Sequence, residues 1–149
     1  MNYFKITMCF MLIACNSQAQ DFVTFNKTNI MKTTKDELVK IILPFEIVEG
    51  YHIQSEIEST DGSITTDIVF EENDLIEILS YSYSKKNNEI VVLNQFEYNV
   101  LTDKFEVTVT LKRTNKTLKS SLTGQLYYQA CTDKQCLFPR TLNFEIPKI

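Results

Sequence analysis

Residues 104–112 read Lys-Phe-Glu-Val-Thr-Val-Thr-Leu-Lys, KFEVTVTLK. Phe105, Val107, Val109 and Leu111 alternate with Glu106, Thr108 and Thr110. Successive side chains on a strand point to opposite faces, so this spacing predicts a strand with one face buried and the other wet. The same period of two recurs in Val39 to Val48, Tyr51 to Ile57, Ile64 to Phe70, Glu89 to Phe96, Leu122 to Ala130 and Thr141 to Ile146. Pro44 inside the first of these lacks an N–H and so predicts a sheet edge or a bulge there. Turn formers separate the runs at Glu49-Gly50, Asp61-Gly62, Lys86-Asn87-Asn88, Thr102-Asp103 and Asn115-Lys116. Residues 73–80 fit two readings equally. One is a strand; the other is a short helix capped by Asn73 or Asp74, with Leu75, Ile76 and Leu79 on one side.

About seven or eight short strands at this spacing predict an all-β fold, an immunoglobulin-like antiparallel β-sandwich. The chain has no Trp, so it lacks the Cys, Trp, Cys core of antibody domains, and the likeness is one of architecture. Its 149 residues suffice for one hydrophobic core. With 44% hydrophobic and 23% charged residues the composition is that of a globular domain. No repeat or linker divides it.

The first residues, MNYFKITMCFMLIACNSQAQ, place one Lys (Lys5) before an apolar run from Ile6 to Ala14 and then small and polar residues. That is the layout of a secretory signal covering 1–19, with the domain at 20–149; the apolar run is too short to span a bilayer. Two processing readings stand side by side. Ser17 and Ala19 form a small-x-small site that would release a chain starting at Gln20. Leu12-Ile13-Ala14-Cys15 instead resembles a lipobox, which would leave Cys15 lipidated and the protein anchored to a membrane facing away from the cytoplasm. Either reading places the domain in the periplasm or on a membrane surface, as in a Gram-negative bacterium, with any membrane contact made through that anchor. Loss of Lys5 takes the net charge from −4 to −5. The remaining basic residues are scattered rather than gathered in a stripe, which argues against nucleic acid as a partner.

Of four cysteines, Cys9 belongs to the signal and Cys15 is lost or lipidated, leaving Cys131 and Cys136 in YYQACTDKQCLFPR, residues 127–140. Two thiols this close meet in an oxidising compartment. Regular alternation from Leu122 through Ala130 puts Cys131 on the polar face, away from the core, and Thr132 to Gln135 then form a polar hairpin turn. A static disulfide is the ordinary reading of such a pair. The loop closed is only six residues, however, worth about 2 kcal/mol in the chain-entropy model. A strained, exposed bond of this kind is easily reduced, which suits exchange. Zinc would need about four ligands, and the single histidine, His52, is distant in sequence, so no metal and no other cofactor is expected. His52 lies in a strand pattern that favours a surface or hydrogen-bonded role. Lys134 and Arg140 would favour a thiolate, and Asp133 would oppose it.

The run Gly124 to Cys131 followed by Cys136-Leu137-Phe138-Pro139 resembles the N-terminal periplasmic domain of the thiol:disulfide interchange protein DsbD. Phe45 to Ile53 and the strand Phe105 to Leu111 extend the resemblance over about Glu37 to Pro147. It implies a stand-alone sandwich domain whose cysteine pair relays reducing equivalents. In that family they come from a membrane thiol transporter through a thioredoxin-like domain and pass to periplasmic disulfide proteins or to cytochrome c maturation. The resemblance assigns the mixed disulfide with partners to Cys136 and the resolving thiol to Cys131. It also implies aromatic shielding or partner contact, with Tyr51 at a matching position and Tyr127 and Phe138 beside the pair. The family's acidic-aromatic cap sequence is not found before Phe105; Val91 to Tyr98, VVLNQFEY, occupies its place and would put Phe96 in the cap. The family's membrane and thioredoxin-like domains are not in these 149 residues, so thioredoxin-like proteins and a membrane thiol transporter are expected to act in trans. The competing reading is a non-catalytic immunoglobulin-like binding or assembly module whose disulfide pins a hairpin.

Overall fold

The structure, a computed structural model, describes residues 21–55, 64–72, 74–84, 88–93, 96–114 and 121–149, with the side chains at 88, 93 and 96 outside that description. The signal region with Cys15, the turns expected at 61–62, 86–87 and 115–116, and the Asn73 cap lie outside the described residues. Among the described residues no helix is long and apolar enough to cross a membrane.

The fold is all-β and antiparallel throughout. β1 (Val23–Phe25), a 3-10 turn (Lys27–Asn29) and β2 (Met31–Lys35) lead into the long β3 (Leu38–Ile47). Then follow β4 (His52–Gln54), β5 (Asp67–Phe70), β6 (Ile76–Tyr83), β7 (Asn88–Leu93) and β8 (Phe96–Thr102). The chain ends with β9 (Lys104–Arg113), β10 (Leu122–Tyr128), β11 (Ala130–Cys131) and β12 (Arg140–Ile146). β1 and β2 both pair with one edge of β3, whose other edge pairs with β9, and β9 with β6. β12, β10 and β5 make a second sheet; β11, β4, β8 and β7 make a third.

The alternation in KFEVTVTLK is realised as expected: Phe105, Val107, Val109 and Leu111 are buried. β3 faces it in a continuous ladder from Leu38 opposite Lys112 to Glu46 opposite Lys104. Each strand supplies its apolar half to one core with Leu122, Leu126, Tyr128, Phe144 and Ile146 from the second sheet. Phe45 stacks on its cross-strand partner Phe105 at 5.2 Å, and Phe144 meets Phe45 edge-on at 5.6 Å, joining the two layers. Such aromatic pairs add about 0.5–1.5 kcal/mol beyond their buried area.

Several expectations are corrected. β3 is an interior strand despite Pro44, because the missing N–H falls where β1 peels away from it. The Asn26 carbonyl that would have accepted that N–H takes the Asn29 N–H instead (3.2 Å), closing the 3-10 turn, while the Pro44 carbonyl still accepts from Asn26 (3.0 Å). Of the two readings of residues 73–80, the strand is the one that forms, as Ile76–Tyr83. Their helix-like spacing comes from an irregularity between Ile78 and Ser80, where Leu79 turns outward and is 48% exposed. The run 89–96 belongs to two strands, β7 and β8, paired from Asn88 opposite Leu101 to Leu93 opposite Phe96. Among the described residues the strand count rises from seven or eight to twelve through that split, the separation of β11 from β10, and the short β1 and β2.

Two turns set the placement of β4. Gly50 (φ 82°) turns the chain between β3 and β4, with Tyr51 N–H donating to the Val48 carbonyl at 3.1 Å. Asp103 (φ 52°) turns it between β8 and β9, its carbonyl accepting from Ile47 N–H. Left-handed φ is cheap for Gly and tolerated by Asp, so both turn signals in the sequence have a local cause. Gly124 answers a different demand. Phe144, opposite it on β12, lies across its Cα, and a Cβ there would come within 2.4 Å of the ring. Gly124→Ala is therefore expected to lower stability by about 1–3 kcal/mol in urea unfolding, with the same slope against urea as the parent.

Candidate thiol-disulfide site

β10 keeps the expected phase through Tyr128, with Leu122, Gly124, Leu126 and Tyr128 buried and Gln125 and Tyr127 exposed. The chain then leaves the β12-β10-β5 sheet and joins the β11-β4-β8-β7 sheet, where Ala130 pairs with Ile53 and Cys131 with His52. Gln129 bridges the crossing. Its Nε2 donates to the Leu137 carbonyl (2.9 Å), and its Oε1 accepts from the Ile64 N–H (3.3 Å). One side chain thus ties the outgoing limb of the cysteine loop to its returning limb and to the segment before β5.

The crossing changes the phase, and with it the expected exposure of Cys131. Ala130 is fully buried and Cys131 is 7% exposed, so Cys131 sits in the protein interior rather than on the polar face. The turn itself forms as the sequence predicts. Thr132 N–H donates to the Gln135 carbonyl (2.8 Å), the Thr132 hydroxyl oxygen accepts from the N–H groups of Lys134 and Gln135 (3.3 Å each), and Leu137 N–H donates to the Ala130 carbonyl (2.9 Å). Cys131 and Cys136 are cross-strand neighbours joined by a disulfide. Cys136 is exposed along with Asp133, Lys134 and Gln135. The two sulfur-bearing residues therefore differ sharply: one is buried against β4, the other faces solvent on a polar turn.

The aromatic residues singled out in the sequence have different surroundings. Phe138, two residues after Cys136, is 89% exposed. Tyr127 lies on the outer face of β10, between Thr141 and Asp67 and opposite in direction to buried Tyr128. Tyr51 is half-buried with its ring 4.5 Å from that of Phe22. Phe96 opens β8, and its side chain lies outside the described residues. Arg140 places its guanidinium carbon 5.0 Å from the centre of the Phe22 ring. The Phe22 N–H donates to the Tyr128 hydroxyl at 3.3 Å, so residue 22 fastens the segment entering β1 to β10.

His52, expected from its strand pattern to be at the surface or hydrogen-bonded, is instead buried beside the pair. It is 8% exposed and lies directly opposite Cys131 in the β4–β11 ladder. Directly opposed residues of an antiparallel pair share a face, with Cβ atoms about 4.5–5.5 Å apart. His52 also lines a groove of about 600 Å³ together with Tyr51 and Asp133. Burial holds its imidazole below the usual histidine pKa, and the Asp133 and Glu89 carboxylates pull it partly back. A larger groove, about 700 Å³, lies beside Asn26, Pro44 and Ser84 and includes neither cysteine. Among the described residues no group of three or more His, Cys, Asp and Glu could hold a metal ion.

In sequence, no family model matches the chain and no curated protein matches it. Solved structures do match in fold. The N-terminal periplasmic domain of ScsB from Proteus mirabilis is 12% identical, with a TM-score of 0.56; the match covers 79% of this chain and 44% of that one, so the chain spans less than half its length. The Neisseria meningitidis DsbD N-terminal domain in the reduced form is 19% identical over 79% of this chain and 82% of that one, with a TM-score of 0.47. The yeast GGA1 GAE domain is 10% identical over 88% and 96%, with a TM-score of 0.50. At these identities the likenesses to the ScsB and GAE domains bear on the fold alone, an all-β sandwich.

Gln129→Leu strips partners from the part-buried Leu137 carbonyl and Ile64 N–H together, and leaving such groups unpaired costs about 1–3 kcal/mol. Urea unfolding of the disulfide form is expected to show a loss in that range.

Proposed function

We propose that the chain is an extracytoplasmic thiol:disulfide exchange module. It relays reducing equivalents through Cys131 and Cys136 from a thioredoxin-like donor or membrane thiol transporter to disulfides of periplasmic proteins. The observation that carries this reading is the unequal exposure of a bonded pair: Cys136 on the solvent side of a polar turn, Cys131 buried against β4.

Exchange needs an attacking thiolate to reach one sulfur in line with the bond it breaks. Exposure admits it at Cys136. A donor thiolate attacks the Cys136 sulfur, a mixed disulfide forms, and Cys131 departs as a thiolate; the donor's second thiol then attacks its own sulfur in the mixed disulfide and frees Cys136. In the forward transfer the Cys136 thiolate attacks a target disulfide and expels one target thiolate. Cys131 then attacks the Cys136 sulfur, closing the internal bond and releasing the reduced target. Two electrons pass in each half, and no cofactor is required. Exposed Phe138, two residues from Cys136, gives a partner an apolar contact beside the reacting sulfur. Support also comes from the Tyr-Gln-Ala-Cys and Cys-Leu-Phe-Pro motifs and from the fold shared with the ScsB domain.

The second reading, a binding module with an inert hairpin bond, draws on the fold not being peculiar to the ScsB domain, since the GGA1 GAE domain shares it at a TM-score of 0.50. Trapping separates the two. Cys131→Ala is expected to accumulate covalent, reductant-sensitive adducts with thioredoxin-like proteins through Cys136, whereas Cys136→Ala, which leaves only the buried thiol, is expected to form few. Absence of adducts from Cys131→Ala would favour the binding module.

A further inference from the structure

The exchange scheme leaves one chemical demand unmet. When Cys131 resolves a mixed disulfide it must lose a proton, and it does so from a buried position, where burial disfavours the thiolate. Solvent and the exposed Lys134 lie on the Cys136 side of the loop, and Arg140 is committed to Phe22. The titratable residue that strand pairing places directly opposite Cys131 is His52. It faces Cys131 across the β4–β11 ladder, shares its face of the sheet, is nearly as buried, and reaches the groove that Asp133 also lines.

We propose that His52 is the proton acceptor for Cys131 in the resolving step. The inference rests on the exchange reading above and names the group that makes the second half of it possible at neutral pH. The step balances as follows. The Cys131 S–H bond breaks, with its proton passing to the neutral imidazole and its electron pair forming the bond to the Cys136 sulfur. The bond from Cys136 to the partner breaks, and the partner sulfur leaves as a thiolate. In the opposite direction the imidazolium returns the proton to Cys131 as it departs.

The surroundings fit that task. Burial keeps the imidazole neutral near pH 7, so it is free to accept. Asp133, carried on the cysteine loop itself, and Glu89 on β7 then stabilise the imidazolium. Glu46 and Glu49 from the end of β3 and its turn, and Asp103 from the β8–β9 turn, line the same groove; every formally charged residue there is a carboxylate. The proton therefore arrives in a field that favours it, and the groove gives it a path to water. His52 being the chain's only histidine, its titration is read without ambiguity.

The test oxidises the reduced full chain with excess glutathione disulfide, quenches with acid, and follows by mass spectrometry the glutathione adduct and its conversion to the closed pair. Decay of the adduct reports the resolving step alone. If no adduct or closed pair forms, the exchange reading itself fails. If they form, the inference predicts a resolving rate that rises through an inflection below pH 6.5 and then stays nearly flat to about pH 8, because proton acceptance by His52 has replaced prior ionisation of the thiol. In His52→Gln the plateau is expected to vanish, leaving a rate that climbs about tenfold per pH unit and lies at least roughly tenfold below the parent at pH 7. Asp133→Asn, on the exposed turn, is expected to move the parent inflection to lower pH and keeps the test available should His52→Gln not fold. A parent rate that climbs tenfold per pH unit from pH 5.5 to 8 with no plateau would overturn the proposal, as would a His52→Gln profile that matches the parent.

Discussion

At Gln129 the chain has to leave one sheet and enter another within a single residue, and a backbone that does this inside a protein must find new partners for its amides. The Gln129 side chain supplies two of them, to Leu137 and to Ile64, while Ala130 and Cys131 are taken up at once by Ile53 and His52 of β4. Everything distinctive about the cysteine pair follows. Had β10 run on regularly, Cys131 would have pointed to solvent, and the two sulfurs would have been alike. Because the chain switches sheets, Cys131 is drawn inward while Cys136, across a four-residue polar turn, stays outside.

The switch works only against a rigid frame. β3 and β9 provide it through their long ladder and the Phe45, Phe105 and Phe144 contacts that weld the layers. From that frame the left-handed turns at Gly50 and Asp103 launch β4 and receive β8, which together carry His52 to its station opposite Cys131. The chemistry is thus set on strands rather than on a free loop. The part left outside is the short turn from Thr132 to Gln135, itself closed by hydrogen bonds from Thr132.

Much of this was legible in the sequence, and the divisions are physical. The buried phase of residues 105–111 and 122–128, and the turns at 49–50, 102–103 and 132–135, are local properties and came through as read. The boundary between β7 and β8 within 89–96 did not, since no Gly or Pro interrupts that stretch. Pro44 misled because its meaning depends on which neighbouring strand stops short beside it. The partnership of His52 with Cys131 spans 79 residues of chain and arises from strand pairing, which no local pattern encodes. The one available hint was that His52 follows a Gly turn in a stretch resembling the same family as the cysteine motif. Tyr127 and Phe138 were read as flanking the pair by sequence proximity alone, yet strand alternation turns Tyr127 onto the outer face of its sheet.

The fold alone does not decide the function, since it is shared with both a periplasmic ScsB domain and a yeast GAE domain. The decisive property is how readily the Cys131–Cys136 bond opens. Equilibrating the full chain against graded glutathione or dithiothreitol buffers gives its reduction potential directly. An exchange module is expected to lie within about −120 to −270 mV, the span of known exchange proteins; a value below about −300 mV would mark a structural bond and contradict the account.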